Sequence, residues 1–330
     1  MHDLIVVGGG PAGLVATVYA VRQRLNVLLI SEKLGGKTEV RSEFPGIGDA
    51  RVIRGQQLVD NFKNELSYLD IAHRLDRVRS IAGGDSGTIS STSSGTSIGT
   101  SASTAAGGFV VATDGGENLE TRSVLIASGC SFKPPRLPGA GRYLLKGIGY
   151  SAISYAHLFL DRVAVVIGSG PRAVGSALQL AHSAAQVYLI AEQGEFSQSD
   201  RAMHDATGLT ALENVTILHD HRITGFGGDT YAREILVETP GGEQKRIPAE
   251  GFFLESEAEP NSAIAGDLVD RDGDGFIVVD ARCNTSCRGV FAAGDVTNIH
   301  REQVLVAMGE GAKAALSAQE YLLEPGSGSS

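Results

Sequence analysis

The chain has 330 residues, 42% of them hydrophobic: enough for two domains with cores of ordinary size, and too apolar for wholesale disorder. Its formal net charge of -10 argues against a polyanion such as nucleic acid as a partner. Three cysteines are too few, and odd in number, for a secreted disulfide scaffold, and Met1-His2-Asp3 carries no basic leader, so a cytoplasmic protein is expected.

Leu4-Ile5-Val6-Val7 is a continuous apolar run, as in a strand buried on both faces. The turn Gly8-Gly9-Gly10-Pro11-Ala12-Gly13 follows, then a helical pattern with Leu14, Val18 and Val21 on one side, then the strand Val27-Leu28-Leu29-Ile30. The breaks at Gly8, Pro11, Arg22 and Arg24 rule out a membrane span over 4–30, and no membrane partner is expected. Residues 78–82 and 109–113 read as a β-meander. The Ser/Thr/Gly-rich stretch 83–108 between them lacks the apolar residues that offset ordering entropy, and is expected to be a mobile surface loop. Val124-Leu125-Ile126-Ala127 is a further strand, running into Ser128-Gly129.

The opening pattern then returns. Residues 163–167 are a strand, Gly168-Ser169-Gly170-Pro171-Arg172-Ala173 a turn, 174–185 a helix and 186–190 a second strand. The predicted class is therefore α/β with two Rossmann-like dinucleotide-binding domains, the second inserted in the first. Prolines 134, 135 and 138 mark the outward crossing and 257–261 the return, giving 1–138 with 257–330 as one domain and 139–256 as the other. The strand 289–293 ends in Gly294-Asp295, and 304–322 is a closing helix.

Both turns carry a phosphate-binding chemistry. In the first, Gly8 permits the tight turn, Gly10 lets the backbone approach a pyrophosphate, and Gly13 lets helix and strand pack closely. The helix N-terminus then favours the phosphates, and Glu32 at the end of the next strand suits ribose hydroxyls. In the second, Gly168, Gly170 and Ala173 keep the same form, and Glu192 stands where a ribose without a 2′-phosphate is read.

Gly289 to Val296, Arg301-Glu302-Gln303-Val304 and Gly309-Glu310-Gly311-Ala312 resemble the C-terminal signature of low-molecular-weight thioredoxin reductases. Gly35-Gly36-Lys37 with Phe44-Pro45-Gly46, and Pro260-Asn261-Ser262 with Gly275-Phe276-Ile277, extend the resemblance to nearly the whole chain outside 83–108. It implies a homodimer and an FAD held by Gly8, Gly10, Pro11, Ala12, Gly13, Gly36, Ala127, Asp295, Gln303 and Val304. Ser31, Lys37, Val78 and Gly129 adjoin these as candidate contacts, and Arg172 does so in the second turn.

Three departures qualify that resemblance. Serines 151 and 154 stand where the family has its Cys-x-x-Cys sulfurs, and a hydroxyl cannot carry a disulfide. Glu192 and Glu195 replace the arginines that pair with the 2′-phosphate of NADPH, with no arginine before Arg201. Glu43 replaces an amide ahead of Phe44-Pro45-Gly46. Cys283 and Cys287, four residues apart in a turn or one helical coil, have the spacing of a redox pair or are unrelated thiols, and Cys130 reads as a packed thiol.

The set is similar to the diflavin-linked disulfide oxidoreductases of oxygenic photosynthetic bacteria. That likeness implies two FAD per chain and electrons moving between Cys283/Cys287 and flavin, with a redox protein or small disulfide or dithiol as partner. Two other readings are an NADH-dependent flavin or electron-carrier reductase without disulfide chemistry, and a non-enzymatic flavin redox sensor. No metal site is expected. Asp270 to Gly275 reads as a hairpin turn, because Ala281 stands where an EF-hand needs Glu, and His219-Asp220-His221 lacks a third ligand.

Overall fold

The computed structural model describes residues 1–47, 55–68, 73–83, 108–132, 136–191, 207–299 and 301–324. Most of the predicted loop 83–108, together with Glu192, Glu195 and Arg201, lies outside them. The chain forms two compact units. Unit 1 comprises Met1–Glu39, Ile53–Ser131 and Glu259–Ser330, and unit 2 comprises Val40–Val52 and Phe132–Ala258.

Unit 1 is built on a seven-stranded sheet among the described residues. His2–Val7 is central, parallel to Val27–Ser31 on one side and to Asn118–Ile126 on the other. His73–Leu75 extends the first edge, and Val290–Ala292 adds a parallel partner to Asn118–Ile126. Val78–Gly83 and Phe109–Thr113 form the predicted antiparallel meander. Period-two alternation sends Leu4 and Val6 into one core and Ile5 and Val7 into the other. The first core takes Leu14 and Val18 of helix Pro11–Arg22 with Ala314, Ala315 and Ala318 of helix Val304–Leu323. Leu14 and Val18 are fully buried, each contributing about 1.5–3 kcal/mol of apolar burial.

Unit 2 repeats the plan with a parallel sheet ordered Val215–Leu218, Gln186–Ile190, Val163–Ile167, Gly251–Leu254, Ile148–Tyr150. Helix Pro171–Ala181 covers one face, through Val174, Ala177 and Leu180. The antiparallel meander Arg222–Gly228, Ala232–Glu238 and Gln244–Pro248 covers the other, where Ile235 and Val237 meet Val165 and Ile167.

The contact boundaries differ from the sequence expectation: the crossings fall at 131/132 and 258/259 rather than 138/139 and 256/257, and Val40–Val52 also belongs to unit 2. The cause of the last is Phe44, 5% exposed, whose ring lies 5.2 Å from those of Tyr155, Phe159 and Phe253. Glu43, the departure ahead of it, is tied there as well, its N–H donating to the Leu145 carbonyl.

Candidate functional site

The first glycine turn joins His2–Val7 to helix Pro11–Arg22, and its glycines are not equivalent. Gly8 has φ +112°, and a Cβ there would overlap the Ala127 carbonyl oxygen. A Cβ at Gly13 would overlap the Gly8 carbonyl. Gly10 has ordinary extended backbone, φ -75°, and a Cβ on it would meet nothing within 4 Å among the described residues. Gly8 and Gly13 are therefore needed for packing, whereas the space over Gly10 is open. That open face lies at the N-terminus of the helix, where the first N–H groups have no intrahelical partner and the dipole favours an anion. Pro11 occupies the first helical turn, where its missing N–H costs nothing.

Other parts of unit 1 converge on this turn. Gly36, with φ +59°, brings its backbone close enough that its Cβ would lie 3.1 Å from Gly10 Cα. Gly294, φ +78°, stands against Ala12 in the same way, so Asp295 leaves the strand end beside the turn. Buried Glu310 fixes this corner by accepting a hydrogen bond from Gly294 N–H at 2.8 Å. Asp295 Oδ2 lies 2.5 Å from Lys37 Nζ, which is also 3.2 Å from Cys130 Sγ and 3.6 Å from Glu302 Oε2. Burial acts to lower the Lys37 pKa, but Asp295, Cys130 and Glu302 outweigh it and hold the ammonium above its ordinary value. Burial pushes the Cys130 thiol up to about 11 against the pull of Lys37, so it is a neutral thiol at physiological pH.

The remaining candidates of unit 1 take simpler places. Ser31 Oγ is 3.2 Å from His73 Nε2, and exposed Glu32 lies 3.4 Å from Arg77 Nε at the end of Val27–Ser31. Val78 and Ala127 are buried, Gly129 has φ +68°, Gln303 caps helix Val304–Leu323 and Val304 is half-buried against the core.

The second turn has the same frame and a different occupant. Gly168, φ +148°, packs against the Glu255 carbonyl as Gly8 does against Ala127, and Ala173 is fully buried. Over Gly170, however, stands the Glu257 carboxylate, which a Cβ there would overlap. Arg172 Nε donates to Glu255 Oε2 at 2.6 Å, and its guanidinium stacks 4.6 Å over Phe132. Glu255 has no exposed side-chain surface and also accepts from Ala152 N–H at 2.6 Å and Ser176 Oγ at 2.9 Å. The expected phosphate cradle thus holds two carboxylates that the sequence reading missed. Their signal was Glu255-Ser256-Glu257 directly after the apolar strand Gly251–Leu254, at the strand end where a ligand approaches.

The thiols do not assemble as expected. Cys283 and Cys287 are both free. Cys283 is fully buried in the core on the helix side of the sheet, with Sγ 3.7 Å from the Glu310 carbonyl. Cys287 packs against the core on the opposite face. Cys283 has φ +65°, so the segment is not the helical coil that would align the two sulfurs. Burial raises both thiol pKa values, Cys283 to about 11. Ser151 and Ser154 do meet, Oγ to Oγ at 3.0 Å, with Ser151 in the left-handed region at φ +57°.

Known proteins share this architecture. Residues 2–311 match the family described as pyridine nucleotide-disulphide oxidoreductase. The F component of alkyl hydroperoxide reductase from Escherichia coli is 30% identical over 325 residues, covering 98% of this chain and 58% of that protein. Its Staphylococcus aureus counterpart is 28% identical over 98% of this chain and 59% of its own length. The chain therefore spans less than two thirds of the curated relatives it matches. Among solved structures, thioredoxin reductase from Streptococcus pyogenes superposes with TM-score 0.79 at 24% identity, covering 98% of both chains. Thioredoxin reductase from Giardia duodenalis gives 0.80 at 22% identity, covering 98% of this chain and 99% of that one. With the fold, the first glycine turn and this match in agreement, the chain belongs to the pyridine nucleotide-disulphide oxidoreductase family and has a thioredoxin reductase-like fold.

Proposed function

We propose that the chain carries one FAD, on unit 1, and moves electrons between it and a separate redox protein or small disulfide or dithiol compound. The observation that carries this reading is the open space over Gly10 at the N-terminus of helix Pro11–Arg22, beside the Lys37–Asp295 pair. The residues fit the group. Gly10 leaves room for a pyrophosphate, Gly36 narrows the approach, and Glu32 is exposed at the strand end where a ribose is read. In this reading Asp295 accepts a hydrogen bond from a polyol chain, and Lys37, paired with it, holds a nearby negative charge. Bound there, FAD supplies two-electron redox chemistry.

The chain lacks a dithiol at 151 and 154, and its three cysteines are free and buried or half-buried. Disulfide chemistry is therefore assigned to the partner, whose sulfurs meet the flavin directly. This reading departs from the expectation of electron exchange through Cys283 and Cys287, which lie in different cores. The expected homodimer is retained as a proposal. Leu305 and Leu316 lie on one face of helix Val304–Leu323, 58% and 44% exposed, and supply apolar surface for it.

Flavin release on denaturation tests the assignment. One FAD per chain and no FMN is the expected result. FMN alone, or no flavin after reconstitution, would overturn it.

A further inference from the structure

Two consecutive residues of helix Val304–Leu323 touch the first glycine turn and the segment of Asp295 at once. Gly311 lies so close to helix Pro11–Arg22 that a Cβ on it would overlap the Ala12 carbonyl oxygen. Its neighbour Glu310, 7% exposed, brings a carboxylate oxygen to the Gly294 N–H, which donates to it at 2.8 Å. Gly294 is buried and immediately precedes Asp295.

That bond lies just past the end of the strand ladder. Val290–Ala292 pairs with Asn118–Ile126 up to Ala292, and Ala293 N–H still donates to the Ile126 carbonyl at 3.0 Å. The next N–H, that of Gly294, takes its acceptor from the helix instead. The Gly294 carbonyl accepts from the Thr297 N–H at 3.0 Å and from its hydroxyl at 2.9 Å, so both polar groups of Gly294 are tied. Packing alone does not call for a glutamate here. The core positions of this helix, Ala307, Ala314, Ala315 and Ala318, are small and apolar, and a buried carboxylate is unfavourable unless it is hydrogen-bonded.

We infer that Glu310 is a positioning residue for FAD affinity: with Gly311 against Ala12, it sets the separation between the pyrophosphate cradle at Gly10 and the Asp295 carboxylate. This rests on the reading of one FAD on unit 1, in which the pyrophosphate meets Gly10 and the polyol chain meets Asp295. Two contacts on one ligand reinforce each other only when their spacing matches that of the ligand. A backbone ordered before the ligand arrives also spares binding the entropy of ordering it. ADP separates the two contacts, because it carries the adenosine and pyrophosphate but no flavin-side polyol.

The test is calorimetric titration of the flavin-free full chain with ADP and with FAD. Glu310→Met removes the acceptor at similar length, and Glu310→Ala stands in if Glu310→Met does not fold. Either is expected to lower FAD affinity about tenfold or more while ADP affinity stays within about twofold of wild type. Glu310→Gln keeps an acceptor and should hold both affinities near wild type. Asp295→Ala should cost less FAD affinity in the Glu310→Met background than alone, as expected for two residues acting as one. Equal losses of ADP and FAD would overturn the inference, since Glu310 would then support the turn and not Asp295. Unchanged FAD affinity in a folded Glu310→Met protein, or an Asp295→Ala cost that is the same in both backgrounds, would overturn it too. A wild type that binds ADP but not FAD, or neither, counts instead against the FAD reading of unit 1.

Discussion

The two glycine turns share a frame down to the atom that each first glycine packs on: a strand-end carbonyl, of Ala127 in unit 1 and of Glu255 in unit 2. They differ over the second glycine, open at Gly10 and filled by a carboxylate at Gly170. The glycines that make the turn and the side chains that stand over it are thus set by different segments, so a glycine fingerprint reports a fold more securely than a cofactor.

Substitutions sharpen this contrast. The largest effect is expected at Gly13→Ala, whose methyl would overlap the Gly8 carbonyl and force the turn apart. A loss of about 3 kcal/mol is expected, at the upper end of overpacking costs, measured as chemical denaturation of the flavin-free protein. Gly10→Ala should behave oppositely. Its Cβ meets no described residue, so flavin-free stability should hold while FAD affinity falls by about tenfold to a hundredfold. If Gly10→Ala kept its flavin, the open space would not be the pyrophosphate site.

Asp295→Ala comes next. Losing a charged acceptor removes about 1.5–3 kcal/mol of binding, or roughly tenfold or more in FAD retention on dialysis. Retention equal to wild type would remove Asp295 from the site.

The pH dependence of Cys130 is a smaller effect. The unfolded chain releases this proton near the ordinary value of 9.0 and the folded one only near 11. The folded state therefore holds the extra proton, and this thiol's contribution to stability is present below pH 9 and lost as pH rises through 11. Alkylation of Cys130 should be slow at neutral pH and accelerate across that window. Rapid labelling at neutral pH would show that the thiol is not held as described.

The smallest effects belong to the thiols and hydroxyls assigned no redox role. Cys283→Ser should cost about 1–2 kcal/mol for a hydroxyl in an apolar core, and leave flavin content and the rate of flavin reduction by dithiols unchanged. Loss of that reduction in a folded Cys283→Ser protein would restore the Cys283/Cys287 pair as the redox centre. Ser151→Ala with Ser154→Ala should change neither flavin content nor stability by more than about 0.5 kcal/mol.

What the sequence made legible was local. The turn at Gly8 to Gly13 lies within six consecutive residues between two apolar runs, and the period of those runs declares strand and helix. Asp295 was readable because it ends a strand. The Lys37–Asp295 pair and the Glu257–Gly170 encounter join residues far apart in the chain, which only the sheet order brings together. Cys283 and Cys287 misled for a related reason. A spacing of four can bring sulfurs together in a turn or on a helical coil, but here the positive φ of Cys283 leaves the coil and the two thiols enter different cores.

The place of Phe44 in the unit 2 core bears on the order in which a ribosome delivers the two folds. Every segment of unit 2, from Val40–Val52 to Phe132–Ala258, has been synthesised by residue 258. Unit 1 begins first but still awaits strand Val290–Ala292 and helix Val304–Leu323. At about 5–20 residues per second, those pieces arrive several seconds later. The inserted fold can therefore close during translation while the older-started one is still missing its last strand, and a stretch cut out as 139–256 would leave Phe44, and the aromatic contacts it makes, behind.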